Sequence, residues 1–313
     1  MTMSTPAPAP FRPKRAPTQF RGPTAWPKEA APPVEPAPAP AEAVQKPRGK
    51  RKKKPAAAIS APPAELASAL DAIMADDVLT VVTFLWKPPR GYRSKFDGSH
   101  VDTLRRMVRR HYRRPHRFVC ITDDPTGITE PDIELFALWD DFKDVRNPSG
   151  SKNPSCYRRL RLFAGNTGQW LGPRFVCLDL DCVIVGDMAP VWDRPEPFVI
   201  WKSTTPGNFY NGSMFMMEAG ARPMVWTDFD PVLSPRETYG ARLYGSDQAW
   251  IAYRLGGGEA TWSAADGVYS MRNELKPQRG RLPAGARIVF FHGKGDPWSP
   301  EMQQLPWVRA NYK

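Results

Sequence analysis

Two carboxylates, Asp179 and Asp181, lie two positions apart within residues 174–185, an apolar stretch rich in β-branched side chains. Pro173 and Gly186 bound this stretch, which is typical of a single strand buried on both faces. Because side chains on a strand alternate between its faces, the two carboxylates point to the same side. Two like charges buried together need a cation, so the pattern predicts a divalent metal at the carboxyl end of a central strand. The alternative is a carboxylate pair that faces water.

A second group of chemically capable residues, His292-Gly-Lys294, follows the last apolar run of the chain. An imidazole could complete a metal site begun by two carboxylates, and oxygen and nitrogen ligands together suit Mn²⁺ better than Ca²⁺. Gly293 and Gly295 would let the backbone approach a ligand closely, and Lys294 offers a point charge for a phosphate. A lone histidine is more often structural, so the metal prediction depends on its combination with the two carboxylates.

Apolar periodicity predicts the elements that would position these groups. As far as residue 185 strands alternate with helices, at strands 78–86, 118–122, 133–139 and 174–185 and helices 99–111, capped by Ser99 and Asp102, and 155–164. Then come strands 198–201, 210–217 and 287–291 and a helix that Ser246 caps and Gly256 ends. This order predicts an α/β fold with a mixed, mainly parallel sheet flanked by helices and a ligand crevice at its carboxyl edge.

The composition of residues 1–62 differs from that of the remaining chain. Sixteen of the 36 prolines lie in residues 1–63, interleaved with Ala and with few aliphatic side chains. Such a segment cannot bury enough apolar area to offset its ordering entropy, so we predict a disordered tail at 1–62. A single domain is predicted at 63–313, and it begins with an amphipathic helix that ends near residue 77.

Most of the positive charge of the chain lies in this tail. Residues 1–63 carry twelve Lys and Arg against three Asp and Glu, a net charge of +9 that leaves +3 of the total +12 for the rest. The run from Lys50 to Lys54 could attract any polyanion, DNA or anionic lipid, without reading its sequence. The predicted helix 99–111 adds a second basic surface, which extends from Arg105 to Arg117. A solubilising tether and a solvated helix face are the alternatives.

The four cysteines have no Cys-x-x-Cys spacing, and we expect buried free thiols rather than disulfides. No apolar run approaches the roughly eighteen residues of a membrane span. The sequence thus predicts a protein with no membrane span that is located in the cytoplasm.

The ordered set of motifs resembles the family 8 glycosyltransferases, a group with a GT-A fold that includes glycogenin-like enzymes and bacterial lipopolysaccharide galactosyltransferases. The resemblance covers about residues 78–298 and rests on motifs in the same order as in the family. They are the strand that reaches Thr83, the strand 118–122 with Asp123 and Asp124, the helix 156–163, the Leu178-Asp-Leu-Asp-Cys182 run, Tyr210-Asn-Gly-Ser-Met-Phe215, Ser246-Asp-Gln248 and the closing His292-Gly-Lys-Gly-Asp-Pro-Trp298.

This resemblance implies a role for each matching residue. Asp179, Asp181 and His292 would hold Mn²⁺ or Mg²⁺ on the diphosphate of a nucleotide-diphosphate sugar. The diphosphate-sugar donor would also be bound by Thr83, Asp179, Gly212, Gly293 and Lys294, and Asn211, Asp247 and Gln248 would act in catalysis. Asp296 departs from the family pattern, because members often have a lysine there, which leaves Lys294, Arg158 or Arg161 to bind the phosphates.

The resemblance therefore implies a metal-dependent glycosyltransferase that moves a sugar to an acceptor hydroxyl, with retention of configuration favoured. The acceptor could be a glycan, a lipid-linked glycan, a protein or, through the basic tail, DNA with a hydroxymethylated base. Two other functions remain open, a sugar-nucleotide pyrophosphorylase and a nucleic-acid-binding protein with an inert enzyme-like domain. The Trp86-Lys-Pro-Pro-Arg-Gly91 segment is a poor match to a pyrophosphorylase loop, and intact metal-binding residues argue against an inert domain.

Overall fold

The computed structural model describes residues 78–87, 96–150 and 155–313. The predicted tail at 1–62, the helix that precedes residue 78 and the start of the predicted domain lie outside these residues, as does most of the 86–91 segment. Within the described part, no helix has both the length and the apolar character that crossing a bilayer requires.

Ten strands are present in the described residues: β1 Leu79–Leu85, β2 His116–Thr122, β3 Ile133–Ala137, β4 Arg174–Leu178, β5 Cys182–Ile184, β6 Phe198–Lys202, β7 Tyr210–Glu218, β8 Ala260–Trp262, β9 Val268–Ser270 and β10 Ile288–Phe290. The α-helices are α1 Gly98–His111, α2 Gly168–Leu171, α3 Ala189–Trp192, α4 Met224–Thr227, α5 Leu233–Gly240, α6 Asp247–Leu255, α7 Pro300–Gln303 and α8 Pro306–Asn311. A 3₁₀ helix spans Tyr157–Phe163, and Met271–Leu275 forms a π-helical turn.

The strands form one large sheet and one small sheet. The large sheet has the order β3-β2-β1-β4-β7-β6-β8, and its pairs are parallel except where β7 runs antiparallel to β4 and β6. In the small sheet, β10 lies between antiparallel β5 and parallel β9. The predicted α/β fold with a mixed, mainly parallel sheet is therefore confirmed, and the separate small sheet is an additional feature.

Apolar side chains of the large sheet form a core on each of its faces. On β1, Val81 packs into one cluster and Val82 into the other, and both are fully buried. This explains the uninterrupted apolar run of the strand, because a strand covered on both faces has no polar alternation. Trp201 of the large sheet stacks on Phe290 of the small sheet, with ring centroids 4.7 Å apart. The cluster on that face therefore continues into the small sheet.

The predicted single strand at 174–185 is wrong, because the chain leaves one sheet and enters the other within it. Strand β4 ends at Leu178 in the large sheet, and β5 begins at Cys182 in the small sheet. Leu180 is 4% exposed at the bend, while the carboxylates on either side of it are half-buried. Continuous hydrophobicity predicted burial correctly, but it could not distinguish one long strand from two short ones.

The predicted capping box of α1 is also wrong. The helix begins at Gly98, and the Asp97 side chain accepts hydrogen bonds from Ser99. Asp102 instead accepts hydrogen bonds from the backbone N–H groups of Thr129 and Glu130 at 3.0–3.1 Å. Gly98 is required by space, because a Cβ there would lie 2.2 Å from the Gly127 carbonyl carbon.

The basic surface predicted on α1 is largely neutralised. Arg105 is 6% exposed, so it belongs to the protein interior rather than to a solvent-facing stripe. Acidic residues in β3 or just before it pair with four of the arginines: Arg105 with Asp132, Arg106 with Glu130, Arg109 with both, and Arg117 with Glu134. Arg114 pairs with Asp193, which follows α3. These ion pairs weaken the attraction that the stripe could exert on a polyanion.

All four cysteines, Cys120, Cys156, Cys177 and Cys182, are free, as predicted. Burial raises the pKa of the Cys120 and Cys156 thiols to about 12, and the pKa of the other two is raised further by the same cause. A thiol with so high a pKa is a poor nucleophile. The cysteines therefore act as small apolar core residues.

Candidate functional site

The large sheet places Asp179 at the carboxyl end of its central strand. Asp179 directly follows β4, and its backbone N–H donates to the carbonyl of Ser213 at 2.9 Å. On the other side, the Thr83 hydroxyl of β1 donates to the Leu178 carbonyl at 2.9 Å. Thr83 is fully buried, so its observed contact is structural, and its predicted part in donor binding stays a prediction.

The small sheet brings a second set of polar groups to its own end. Strands β9 and β10 are parallel, with Ser270 opposite Phe290, so the residues that follow them emerge side by side. Asp181 lies just before β5, and its carbonyl accepts a 2.7 Å hydrogen bond from Phe291 N–H. Asp181, His292 and Arg272 therefore share this end of the small sheet. The Asp179–Asp181 segment connects it to the end of β4.

A buried arginine, Arg159, holds two carboxylates together at this site. Its guanidinium lies 2.5 Å from Asp179 Oδ1 and 2.7 Å from Asp247 Oδ2. Arg159 and Asp247 are nearly inaccessible, whereas about a third of the Asp179 side chain is exposed. Burial and the charge of Asp179 raise the pKa of Asp247, and Arg159 opposes that shift. Burial alone would lower the pKa of Arg159, but the two aspartates raise it well above its ordinary value.

Sequence reasoning missed this role of Arg159. The predicted helix at 155–164 placed Arg159 on a flank, but the segment is a 3₁₀ helix with about three residues per turn. That period places Tyr157 and Leu160 on one face and turns Arg159 into the interior beside Leu162. The signal was present in the sequence, because apolar residues at 157, 160 and 163 follow a period of three rather than 3.6.

Gly212 of β7 makes room for the ion pair between Arg159 and Asp247. A Cβ at this position would lie 2.9 Å from Arg159 Nη2 and 3.2 Å from Asp247 Oδ2, closer than normal packing permits. The Gly212 N–H donates to Gln248 Oε1 at 3.2 Å, and Gln248 Nε2 donates to the Tyr244 carbonyl at 3.1 Å. The half-buried Gln248 amide is therefore fixed on both sides at the edge of the site.

The side chains of Asn211 and Ser246, which precede Gly212 and Asp247 in the sequence, make structural hydrogen bonds. The Asn211 side-chain oxygen accepts from Ser213 N–H at 2.9 Å. Ser246 occupies the N-cap position of α6 as predicted, but its hydroxyl makes no capping bond. That hydroxyl instead accepts from Cys156 N–H at 2.9 Å, which joins the start of α6 to the 3₁₀ helix. The contact helps to hold Asp247 beside Arg159.

His292 lies at the small-sheet end, where its Nε2 is 2.8 Å from the Ser270 hydroxyl. Burial and the charge of Arg272 lower the pKa of His292, and Asp179 opposes the shift. The imidazole is therefore neutral near pH 7, which is the form that binds a metal. In residue type and protonation, Asp179, Asp181 and His292 fit a divalent cation. Among the described residues, however, no three His, Cys, Asp or Glu side chains are close enough together to hold a metal ion.

The arginines that were predicted to bind phosphates, Arg158 and Arg161, are both held by other groups. Arg158 donates to the Trp139 carbonyl, and Arg161 lies 2.5 Å from Asp141. Both guanidiniums are thus engaged away from His292. Lys294 is exposed beside Gly293, and Arg272, which the sequence did not single out, packs against the same glycine.

Comparison with solved structures identifies the type of fold. The galactosyltransferase LgtC in complex with donor and acceptor sugar analogs matches with a TM-score of 0.50 and 13% identity, over 74% of this chain and 93% of LgtC. The fold is GT-A-like. A variant of LgtC with an active-site glutamine replaced by glutamate matches equally well, at 12% identity. The glycosyltransferase GlyE of Streptococcus pneumoniae TIGR4 matches with a TM-score of 0.45 and 10% identity, over 71% of this chain and 56% of GlyE.

The predicted structural resemblance to this group of enzymes is therefore confirmed at the level of the fold. No protein-family model matches the chain, and no curated protein is similar to it in sequence. The similarity to LgtC is thus one of architecture with little shared sequence. Activity, donor and metal have to be argued from the residues of this chain.

Proposed function

We propose that this chain is a metal-dependent glycosyltransferase that moves a sugar from a nucleotide-diphosphate sugar to an acceptor hydroxyl. The observation that carries the proposal is the junction of the two sheets at Asp179 and Asp181. It places carboxylates, an imidazole and exposed cations at one edge of a GT-A-like fold. That edge, at the carboxyl ends of the strands, is where open α/β sheets bind their ligands.

Some residues of the proposed site would position the ligand-binding groups, and others would bind the cation and the donor. Arg159 holds one oxygen of Asp179 in place through an ion pair. The second oxygen of Asp179, together with Asp181 and His292, would bind a divalent cation. When bound, that cation would neutralise negative charge on the diphosphate. Lys294 is an exposed ammonium that would stabilise the same charge as the sugar–phosphate bond breaks.

Gln248 is the catalytic candidate that the fold positions most firmly. Its amide is half-buried and held by the Gly212 N–H and the Tyr244 carbonyl, which leaves one amide hydrogen for a sugar hydroxyl. The glutamine-to-glutamate variant of LgtC changes an active-site residue of that enzyme, so a glutamine can belong to the active site of this fold. Asn211 lies two residues before Ser213 at the same strand end and would contact the donor sugar or the acceptor.

The state of Asp247 supports retention over inversion of configuration. An inverting enzyme needs a carboxylate base that reaches the acceptor hydroxyl. Asp247 is 2% exposed and bound to Arg159, so it is poorly placed to take a proton from an acceptor. We expect the anomeric configuration of the donor to be kept in the product, which proton NMR of the first-formed product would measure.

The neutralised arginines of α1 favour a glycan acceptor over DNA. Five of the basic residues of the predicted stripe form ion pairs with acidic residues, so the folded surface gains little attraction for phosphates. DNA with a hydroxymethylated base remains the alternative acceptor through the charge of residues 1–62. The pyrophosphorylase alternative depends on the 86–91 segment, most of which lies outside the described residues.

A screen of nucleotide-sugar hydrolysis tests the proposal. We expect hydrolysis of at least one nucleotide-diphosphate sugar with Mn²⁺ and its loss on addition of EDTA. Asp179→Asn should lower the rate by about 100-fold while the thermal unfolding temperature stays near that of the unmodified protein. Glu237→Gln, an equivalent change at an exposed carboxylate, should leave the rate unchanged. Undiminished hydrolysis by Asp179→Asn in the presence of EDTA would disprove the metal-dependent reaction.

A further inference from the structure

Arg272 is brought to the proposed donor site by the parallel pairing of β9 and β10. Ser270 ends β9 opposite Phe290 of β10, so Arg272 and Gly293 emerge from neighbouring strand ends. The Arg272 side chain lies across Gly293: a Cβ on the glycine would be 2.9 Å from Arg272 Cδ and 3.5 Å from Nη1. Gly293 also has φ +105°, a conformation that glycine adopts without strain. The absence of a side chain at 293 therefore permits this close approach of the guanidinium.

Among the described residues, no carboxylate pairs with the guanidinium of Arg272. Arg272 is exposed, and it makes no hydrogen bond or ion pair with another described residue. The acidic residue of its own turn, Glu274, accepts the Ser270 N–H at 2.7 Å instead. Arg281 is also exposed and has no side-chain partner among the described residues, so what distinguishes Arg272 is its position beside the proposed metal ligands, where an anionic ligand would bind.

Lys294, the residue that follows Gly293, provides a second cation. It is exposed and, like Arg272, makes no contact of this kind with another described residue. The charge of Arg272 contributes to the lowered pKa of His292, which indicates that the guanidinium lies close to the proposed metal-binding edge. The planar guanidinium that lies across Gly293 and the ammonium of the next residue therefore come from two neighbouring strand ends.

We propose that Arg272 binds the diphosphate of the donor together with Lys294. This inference rests on the proposed function, which supplies a ligand with two adjacent phosphoryl groups. A guanidinium can donate two parallel hydrogen bonds to one phosphoryl group, while an ammonium neutralises the other. Arg272 thus supplies the second phosphate-binding cation that Asp296 in the closing motif cannot provide.

Binding of inorganic pyrophosphate isolates this role, because every nucleotide-diphosphate donor shares that group. Titration calorimetry would be carried out on the full chain with and without Mn²⁺. We expect Arg272→Ala to weaken pyrophosphate binding by about tenfold or more, since a charge-assisted hydrogen bond contributes at least that factor. Arg272→Lys should restore part of the affinity. The matched control is Arg281→Ala, which removes another exposed arginine that has no partner among the described residues.

A double variant and two further readouts complete the experiment. If both cations contact one diphosphate, Arg272→Ala and Lys294→Ala should couple, so that the double variant loses less than the product of the two single losses. Pyrophosphate affinity of Arg272→Ala within twofold of the unmodified protein, or no pyrophosphate binding by the unmodified protein, would overturn the inference. Arg272-dependent binding without nucleotide-sugar hydrolysis would instead refute the proposed function and leave the anion site. Thermal unfolding of each variant reports whether its fold is intact.

Discussion

Arg159 determines what the two aspartates around it can do. One guanidinium serves both Asp179 and Asp247, so the three groups together keep a net negative charge. Removing Arg159 or Asp247 from the fully buried pair is expected to be strongly destabilising, by about 3–5 kcal/mol, whereas neutralising the partly exposed Asp179 leaves that pair intact. The arrangement therefore orients Asp179 firmly, and it buries Asp247 too deeply for direct contact with a substrate. Asp247 is best described as a positioning residue.

The space at Gly212 offers a test of this arrangement. Gly212→Ala would push a methyl group against Arg159 Nη2 and Asp247 Oδ2, which cannot retreat because both are buried. We expect kcat for nucleotide-sugar hydrolysis to fall by about tenfold or more, with a loss of about 1–3 kcal/mol in the free energy of unfolding. Gly258→Ala, at an exposed glycine with open space around it, is the matched control and should change neither quantity. Equal activity of the two variants would show that the ion pair tolerates displacement.

At the scale of elements, the contact between α1 and the segment before β3 is stabilised by charge. Arg105 is nearly inaccessible and lies 2.5 Å from Asp132, which also pairs with Arg109. The hydrogen bond from Arg105 is the main cause that lowers the pKa of Asp132 to about 2. The carboxylate is exposed on one side, so solvent screening reduces what the pair contributes to stability.

Asp132→Asn should therefore destabilise the fold by about 1–2 kcal/mol at pH 7. Because the pKa of Asp132 is lower in the folded protein, its contribution is present above the ordinary value of 3.8 and is lost as the pH falls toward 2. The difference between unmodified protein and variant should thus shrink across that range, as measured by denaturant unfolding at several pH values. A difference that stays constant down to about pH 2 would contradict the assignment.

The sequence predicted the elements of the fold better than it predicted their boundaries. Apolar runs identified β1, β2, β6 and β7 because each is buried, and burial requires hydrophobic residues. The same rule predicted β4 and β5 as a single strand, because Leu180 in the turn between them is also buried. The predicted capping role of Asp102 was wrong because of tertiary contacts. Its carboxylate accepts hydrogen bonds from backbone N–H groups 27 and 28 residues away.

The residues of the candidate site, too, could be predicted only in part from the sequence. The residue types and order of Asp179, Asp181, Asn211, Gly212, Gln248 and His292 could be read from motifs. The period of three indicates the inward position of Arg159, but its partners Asp179 and Asp247 come from other parts of the chain, and the position of Arg272 depends on the pairing of β9 with β10. Residues whose neighbours come from another part of the chain carry no local signal of their role.

At the scale of the whole molecule, truncation tests the predicted division between a basic tail at 1–62 and a domain at 63–313. Residues 1–63 carry a net charge of +9, whereas the remainder carries +3. If the acceptor is a neutral glycan, a variant that begins at Pro62 should transfer sugar as fast as the full chain at every salt concentration. If the acceptor is DNA with hydroxymethylated bases, truncation and added salt should both slow transfer to it without changing donor hydrolysis. Circular dichroism of the variant would confirm that the domain remains folded.

The passage of the chain from the large sheet to the small sheet at Leu180 links ligand binding to local unfolding. Strands β4 and β5 belong to separate hydrogen-bonded ladders, and the two sheets are held against each other by a shared apolar cluster. A ligand that contacts both Asp179 and Asp181 bridges the two ladders, and its binding free energy then opposes the opening of either one. Amide hydrogens of β5 and β10 should consequently exchange more slowly when donor is bound, together with those of β4. A bound donor would thus add a polar connection between two ladders that the apolar cluster already joins.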